Sequence, residues 1–254
     1  MEDIHNWQSK FESCKYAERL LSKLILLNKQ VKQPIDIEEV KKGIYYAKKY
    51  HGTQMRQSGE PYYSHPIEVA YMVAEHTALG ILKYFRTDMI VTSLLHDTIE
   101  DTELTQTMIT SIFGDQVASQ VEDLTRIKGE HKISSAEIVE TLYRQKKSDI
   151  LVIKIFDRLH NMQTIGSKSS EKRKKIVEET LKRFITLSIY LEDQIDGVLK
   201  IEKRITELCY QNLPVKHYLL QNQEMIFKDN YQLFFPTVQN ETIHNYIQHI
   251  LESS

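Results

Sequence analysis

The sequence predicts an all-α protein, a helical bundle with at most one minor β-hairpin. Apolar residues recur at three- and four-residue spacing along most of the 254-residue chain, the period of one helix face. Gly (8) and Pro (5) are scarce for that length, which leaves few tight turns and favours long helices. Helix-start signatures precede several apolar stretches, among them the capping-box spacing of Ser134 and Glu137.

Taken in order, Phe11, Tyr16, Leu20, Leu21, Leu24, Ile25 and Leu27 predict an amphipathic helix over 11–29, punctuated at Gln33-Pro34. Asp36 precedes a second helical pattern through Val40, Ile44, Tyr45, Ala47 and Tyr50. Gln57-Ser58-Gly59-Glu60-Pro61 is turn chemistry and predicts a loop. Ser64-His65-Pro66 opens the next helix, with Pro66 suited to its first position, and that pattern stops near Gly80. Thr87-Asp88 predicts an N-cap for a strongly apolar helix over 89–100. Phe113-Gly114 predicts a turn, 117–124 a helix and 126–134 a polar break. The run 150–156 has the length of a buried strand, but Asp157, His160, Asn161 and Thr164 continue it at i, i+3, i+4 and i+7, so it reads as helix. From 171 to 251 the pattern is helical, interrupted at Asn212-Leu213-Pro214 and Phe235-Pro236.

Composition excludes several classes. Hydrophobic residues (41%) and charged residues (27%) stand in ordinary globular proportion. A net charge of −2 provides no overall basic field for nucleic acid, and the basic run 168–175 reads as a solvated loop and helix start. Cys14 and Cys209 form no metal or redox spacing and read as reduced core residues. Glu2, Asp3 and Lys10 do not fit a secretory signal, and no stretch approaches the ~20 apolar residues of a membrane span. A cytoplasmic location without nucleic-acid or membrane partners is the expectation.

The chemistry concentrates in four short stretches. On a continuous helix His96 and Glu100 share one azimuth, and Asp97 and Asp101 the next, directly after Ile90, Val91, Leu94 and Leu95. Alone, that end fits a solvated acidic terminus as well as a site. Asp157, Asn161 and Thr164 form one stripe; Arg158 points elsewhere as an ion-pair partner, and His160, at the edge, reads as a packing or supporting residue rather than a ligand. His65 before Pro66, alone, reads as a cap or surface residue. Together, His65, His96, Asp97 and Asp157 offer imidazole and carboxylate to an open octahedral site, which suits Mn²⁺ or Fe²⁺, and the absence of clustered cysteines argues against structural zinc. Such a set leaves positions for water and for phosphate oxygens.

Arg56-Gln57-Ser58-Gly59-Glu60-Pro61-Tyr62 with His65-Pro66, Leu95-His96-Asp97-Thr98-Ile99-Glu100-Asp101-Thr102, and Asp157-Arg158-Leu159-His160-Asn161-Met162 closely resemble the hydrolase domain of the RelA/SpoT homologue family. That family falls within the HD superfamily of metal-dependent phosphohydrolases, and the resemblance spans residues 36–190. It implies an HD-domain helical bundle that hydrolyses the 3′-pyrophosphate of guanosine tetra- and pentaphosphate, the alarmones of the stringent response, to GDP or GTP and pyrophosphate. Carried over by position, it implies His65, His96, Asp97 and Asp157 as Mn²⁺ ligands and Glu100 and Asp101 as the pair that orients or deprotonates the attacking water. Asn161 and Thr164 would hold ribose and phosphate, Arg56 the guanine or a phosphate, with Ser58, Tyr62 and Ser64 shaping the same pocket.

Two positions depart from the family: Gln57 and Gln163 stand where a lysine and an arginine are usual. Each loss of charge weakens binding by on the order of 1 kcal/mol or shifts base preference. The alternatives are therefore the same site acting on an adenosine alarmone or the 2′-phosphate of NADPH, or a non-catalytic alarmone-binding regulator. Residues 1–33 are expected to form an N-terminal helical segment, 34–195 the hydrolase domain and 196–254 a helical extension. Glu179-Thr180-Leu181 and the run 207–213 resemble the lead-in to a synthetase domain, for which too little chain follows, so a hydrolase-only member is expected. For the apolar residues of 215–254, core packing or a dimer contact fits as well as any chemistry; nothing else indicates a homo-oligomer.

Overall fold

The computed structural model describes residues 6–80, 82–128, 131–194 and 201–212, which are helical apart from loops and one hairpin. The chain divides into two compact units, Met1–Ser167 and Lys168–Ser254.

The first unit contains α1 (Trp7–Lys10), α2 (Lys15–Asn28), α3 (Ile37–His51), α4 (Ser64–Gly80), α5 (Thr87–Leu95), α6 (Thr98–Asp101), α7 (Gln106–Phe113) and α8 (Asp115–Leu124). Strands β1 (Ile127–Lys128) and β2 (His131–Lys132) follow, then α9 (Ser135–Arg144) and α10 (Ser148–Gln163). The strands pair antiparallel, Ile127 opposite Lys132 and Lys128 opposite His131, as the minor hairpin. The capping box is present: Ser134 Oγ accepts from the Glu137 amide at 3.2 Å, and the Glu137 carboxylate accepts from the Ser134 amide at 2.7 Å. Residues 150–156 are helical, within α10.

Helices α4 and α5 pack on each other at the centre; α2 and α10 flank α4, while α3 and α8 flank α5. Every residue of α5 from Met89 to Leu95 is buried, as befits a helix that is covered all round. In α3, a Cβ on Gly43 would come within 2.9 Å of Leu94 Cδ1, so the bare position lets α3 close onto α5. A cluster of Tyr46, Val91, Leu95, Leu104, Ile109 and Val121 joins α3, α5, α7 and α8. Gly114, at φ 86°, ends α7 and starts α8 without a loop, in a conformation that side chains resist.

Three details differ from the expected elements. The first helix starts at Lys15 rather than 11, because Cys14 is extended (φ −147°, ψ 165°) and α1 is a separate turn. Thr87 is the first residue of α5, not its cap; its hydroxyl accepts from the Asp36 amide at 2.9 Å, which ties α3 to α5. The helix expected over 89–100 is broken at His96-Asp97. His96 Nδ1 donates to the Ser93 carbonyl (2.8 Å) and Thr98 Oγ1 to the Leu95 carbonyl (2.6 Å), so side chains take acceptors that the continuing helix would use.

In the second unit, α11 (Ser170–Glu179) runs into a π-helical turn, Thr180–Phe184, and then α12 (Ile185–Gln194); α13 (Ile201–Asn212) packs against all three. Val177, Leu181, Phe184, Leu187, Leu191, Ile205 and Cys209 are buried there. Cys14, by contrast, is only half-buried. The expectations for 215–254 lie outside the described residues. No described helix is long and apolar enough to cross a membrane.

Candidate functional site

Three helices bring the four expected ligands to one place. His65 sits in the first turn of α4, His96 and Asp97 in the break after α5, and Asp157 two-thirds along α10. His65 Nε2 stands 3.2 Å from Asp157 Oδ1 and 3.5 Å from Asp97 Oδ2. His96 Nε2 stands 3.2 Å from Asp97 Oδ1 and 3.8 Å from Asp157 Oδ1. Ligand atoms of His65, His96 and Asp157 lie within 4.8 Å of one another. Both histidines are buried, while Asp97 keeps 20% of its side chain open.

The donor set fits a divalent cation. His96 Nε2 is buried and, among the described residues, makes no hydrogen bond despite two carboxylates beside it. Its Nδ1 is committed to the Ser93 carbonyl, so Nε2 is the nitrogen turned to the shared centre, where a bound ion would displace its proton. Burial lowers the basicity of His96, but Asp97 and Asp157 outweigh that and push its pKa up to about 10. Burial likewise opposes the charge on both aspartates; His96 and His65 hold Asp97 well below the usual carboxylate range, and Lys154 with the two histidines does so for Asp157. That field attracts a cation.

Lys154 was not singled out by the sequence reading. It donates to Asp157 Oδ2 at 3.0 Å and is buried, and a lone lysine inside an apolar run was the available signal. Asn161 donates to Asp157 Oδ1 at 2.6 Å. Arg56 donates to Thr164 Oγ1 (3.0 Å) and Asn161 Oδ1 (3.4 Å), and Asn161 in turn reaches Asp157, so these three converge beside the His/Asp cluster. The Arg56 loop is closed by Arg56 N to Glu60 O (2.8 Å) and Tyr62 N to Gln54 O (2.9 Å), with Gly59 at φ 87° at its tip. Ser58, Gln57 and Gln163 are exposed.

The carboxylate pair is split. Glu100 accepts from Arg126 through Nε (3.0 Å) and Nη2 and from Lys132 Nζ at 2.7 Å, and its side chain is 7% exposed. Burial opposes its charge, yet the two cations hold it below its ordinary range. Asp101 instead accepts from the Tyr62 hydroxyl at 2.6 Å; that hydroxyl also lies 3.2 Å from Asp97 Oδ2. Burial, and then the charges of Asp97 and Glu100 against the Tyr62 hydrogen bond, raise Asp101. Tyr62 stacks on His51 at 4.6 Å, and Gln54 bonds both His51 Nδ1 (2.9 Å) and the Asp101 carbonyl (2.9 Å). Arg126, Lys132, His51 and Gln54 all escaped the sequence reading; the basic residues of the polar break were the only hint. Glu100, Asp101, Gln54 and Tyr50 line a cleft of about 650 Å³, a volume that accommodates a small-molecule ligand.

Residues 43–188 match the HD domain family, over more than half of the chain. The chain belongs to the HD-domain family. A guanosine-3′,5′-bis(diphosphate) 3′-pyrophosphohydrolase from Aquifex aeolicus is 36% identical over 188 residues, covering 73% of this chain and 25% of its own length. A GTP pyrophosphokinase from Myxococcus xanthus is 33% identical over 201 residues, covering 73% of this chain and 24% of its own length. A solved structure described as a metazoan ortholog of SpoT that hydrolyzes ppGpp matches with a TM-score of 0.52 over 72% of this chain and 100% of its own, at 20% identity, and so bears on the fold alone. These relatives make the HD domain a RelA/SpoT homologue. The chain spans about a quarter of the length of the curated relatives it matches.

Proposed function

We propose that this HD domain hydrolyses the 3′-pyrophosphate of guanosine tetra- and pentaphosphate, with Mn²⁺ as its ion, and so lowers a stringent-response alarmone in the cytoplasm. The observation that carries this reading is the convergence of His65, His96 and Asp157, with Asp97 beside both imidazoles and a further carboxylate, Asp101, tied to Asp97 through the Tyr62 hydroxyl. When bound, the ion supplies Lewis acidity to the phosphate ester and acidity to water. His65, His96, Asp97 and Asp157 hold it. Asp101 takes the proton of the attacking water, a role its raised pKa suits, and Tyr62 aims its carboxylate. Water oxygen bonds to the phosphorus next to the 3′ oxygen, that P–O bond breaks to release pyrophosphate, and the 3′ oxygen takes up the proton that Asp101 removed from the water.

Glu100, gripped by Arg126 and Lys132, orients rather than deprotonates, and it holds the two cations beside a polyanionic substrate. Arg56, Asn161 and Thr164 meet the nucleoside and its phosphates, with Ser58 at the rim. The domain organisation proposed with it is a hydrolase core over 34–195, preceded by residues 1–33 and followed by the extension 196–254.

The test is release of pyrophosphate from ppGpp and ppApp, and of inorganic phosphate from NADPH, by the Mn²⁺-loaded protein in parallel. Turnover of ppGpp that is lost in Asp101→Asn supports the reading. Preference for ppApp or phosphate release from NADPH moves the assignment to the adenosine substrates that the exposed Gln57 and Gln163 leave open. No turnover of any of the three leaves the non-catalytic binder.

A further inference from the structure

A metal-binding imidazole must offer a lone pair on the nitrogen facing the ion, so its other nitrogen must carry the proton. At His96 that is settled by a backbone carbonyl, which only accepts: Nδ1–H donates to Ser93 O. At His65 the partner is of another kind. His65 Nδ1 lies 2.8 Å from His160 Nδ1, both rings buried, 4.9 Å apart and tilted by 40°. Two ring nitrogens at that distance share one hydrogen, and its position decides whether the site is open. With the hydrogen on His65, Nε2 is a bare lone pair, 3.2 and 3.5 Å from the Asp157 and Asp97 oxygens. With the hydrogen on His160, a neutral His65 is protonated at Nε2 and that side of the cluster is closed to a cation.

We propose that His160 is a positioning residue: its Nδ1 accepts from His65 Nδ1–H and so holds His65 in the tautomer that presents Nε2 to the ion. The inference rests on the metal-site reading above. Helix α10 supplies the means, since Asp157 and His160 lie three residues apart on one face. The same helix turn thus contributes one ligand and the group behind another. Thr164 Oγ1 anchors the His160 backbone by donating to its carbonyl at 3.1 Å.

The experiment compares wild type, His160→Leu and His160→Asn as full chains. In Asn, Oδ1 takes the place of Nδ1 and still accepts. Mn²⁺ affinity is measured by calorimetry, and the tautomer of His65 by ¹⁵N spectra of the protein loaded with diamagnetic Zn²⁺. Support requires His65 protonated at Nδ1 in wild type, Mn²⁺ binding weakened about 10- to 100-fold in His160→Leu, and recovery to within about threefold in His160→Asn. The proposal is overturned if His160→Leu binds Mn²⁺ as wild type does, if Leu and Asn weaken binding equally, or if wild-type His65 carries its proton on Nε2. The wild-type spectrum decides even should the Leu variant fail to fold. If wild type binds no Mn²⁺, the metal reading falls first and takes this inference with it.

Discussion

Removing one hydroxyl tests the division of labour between Asp101 and Glu100. In Tyr62→Phe the ring keeps its stack on His51, so the loop retains its packing while the hydroxyl loses its short bond to Asp101 (2.6 Å) and its longer contact with Asp97 Oδ2 (3.2 Å). A hydrogen bond to a charged group is worth about 1.5–3 kcal/mol, and because Asp101 is exposed, solvent screening makes the low end, about 1.5 kcal/mol, the ceiling. At 1.36 kcal/mol per unit, that is about one pH unit. The sign follows from the bond: Tyr62 lowers Asp101 against burial and the neighbouring carboxylates, so its loss raises Asp101 further. A base works only when deprotonated, hence the acid limb of kcat against pH moves up by about one unit. On that limb activity drops about tenfold, and it recovers at alkaline pH. Pyrophosphate release over a pH series reads this directly. An unmoved limb, or a loss equal at every pH, refutes Asp101 as the base.

Other perturbations follow from the same contacts. Asp157→Ala should weaken Mn²⁺ binding by more than about 100-fold in calorimetry and, by stranding the buried Lys154, should cost about 3 kcal/mol in urea melts. Arg126→Met should destabilise the protein by about 2 kcal/mol at pH 7, since Glu100 then keeps Lys132 as its counter-charge and only a long bond from the residue 126 amide. Glu100 is depressed in the folded state, so its contribution exists above the ordinary carboxylate pKa and fades as pH falls through the folded value. The gap between variant and wild type should therefore narrow below about pH 4, as melts at both pH values would register. Gly43→Val should cost about 1–3 kcal/mol by forcing Leu94 and Val91 aside, read as a lower urea midpoint with turnover per folded molecule preserved.

The helices were legible because they are written in local spacing. Apolar period fixed α3, α4 and α10, and Ser134 with Glu137 announced α9 down to its cap. The histidines and aspartates were readable as types, although their meeting is a tertiary fact. What escaped was non-local or competitive. The break at His96-Asp97 arises because an imidazole and a hydroxyl capture backbone carbonyls, a choice that periodicity does not register. Arg126 and Lys132 reach Glu100 across 26 and 32 positions, with no pattern linking them in the sequence. Lys154 drew no attention within an apolar run and is the counter-charge of Asp157.

Since α4, the end of α5 and α10 each lend a donor to the same centre, an ion gripped there would staple three remote parts of the chain. Its hold would count toward cohesion of the whole unit, about 2.7 kcal/mol when free ion stands a hundredfold above its dissociation constant. Stripping the metal with a chelator would then do more than silence chemistry: it would loosen the bundle, and heat resistance would track ion supply.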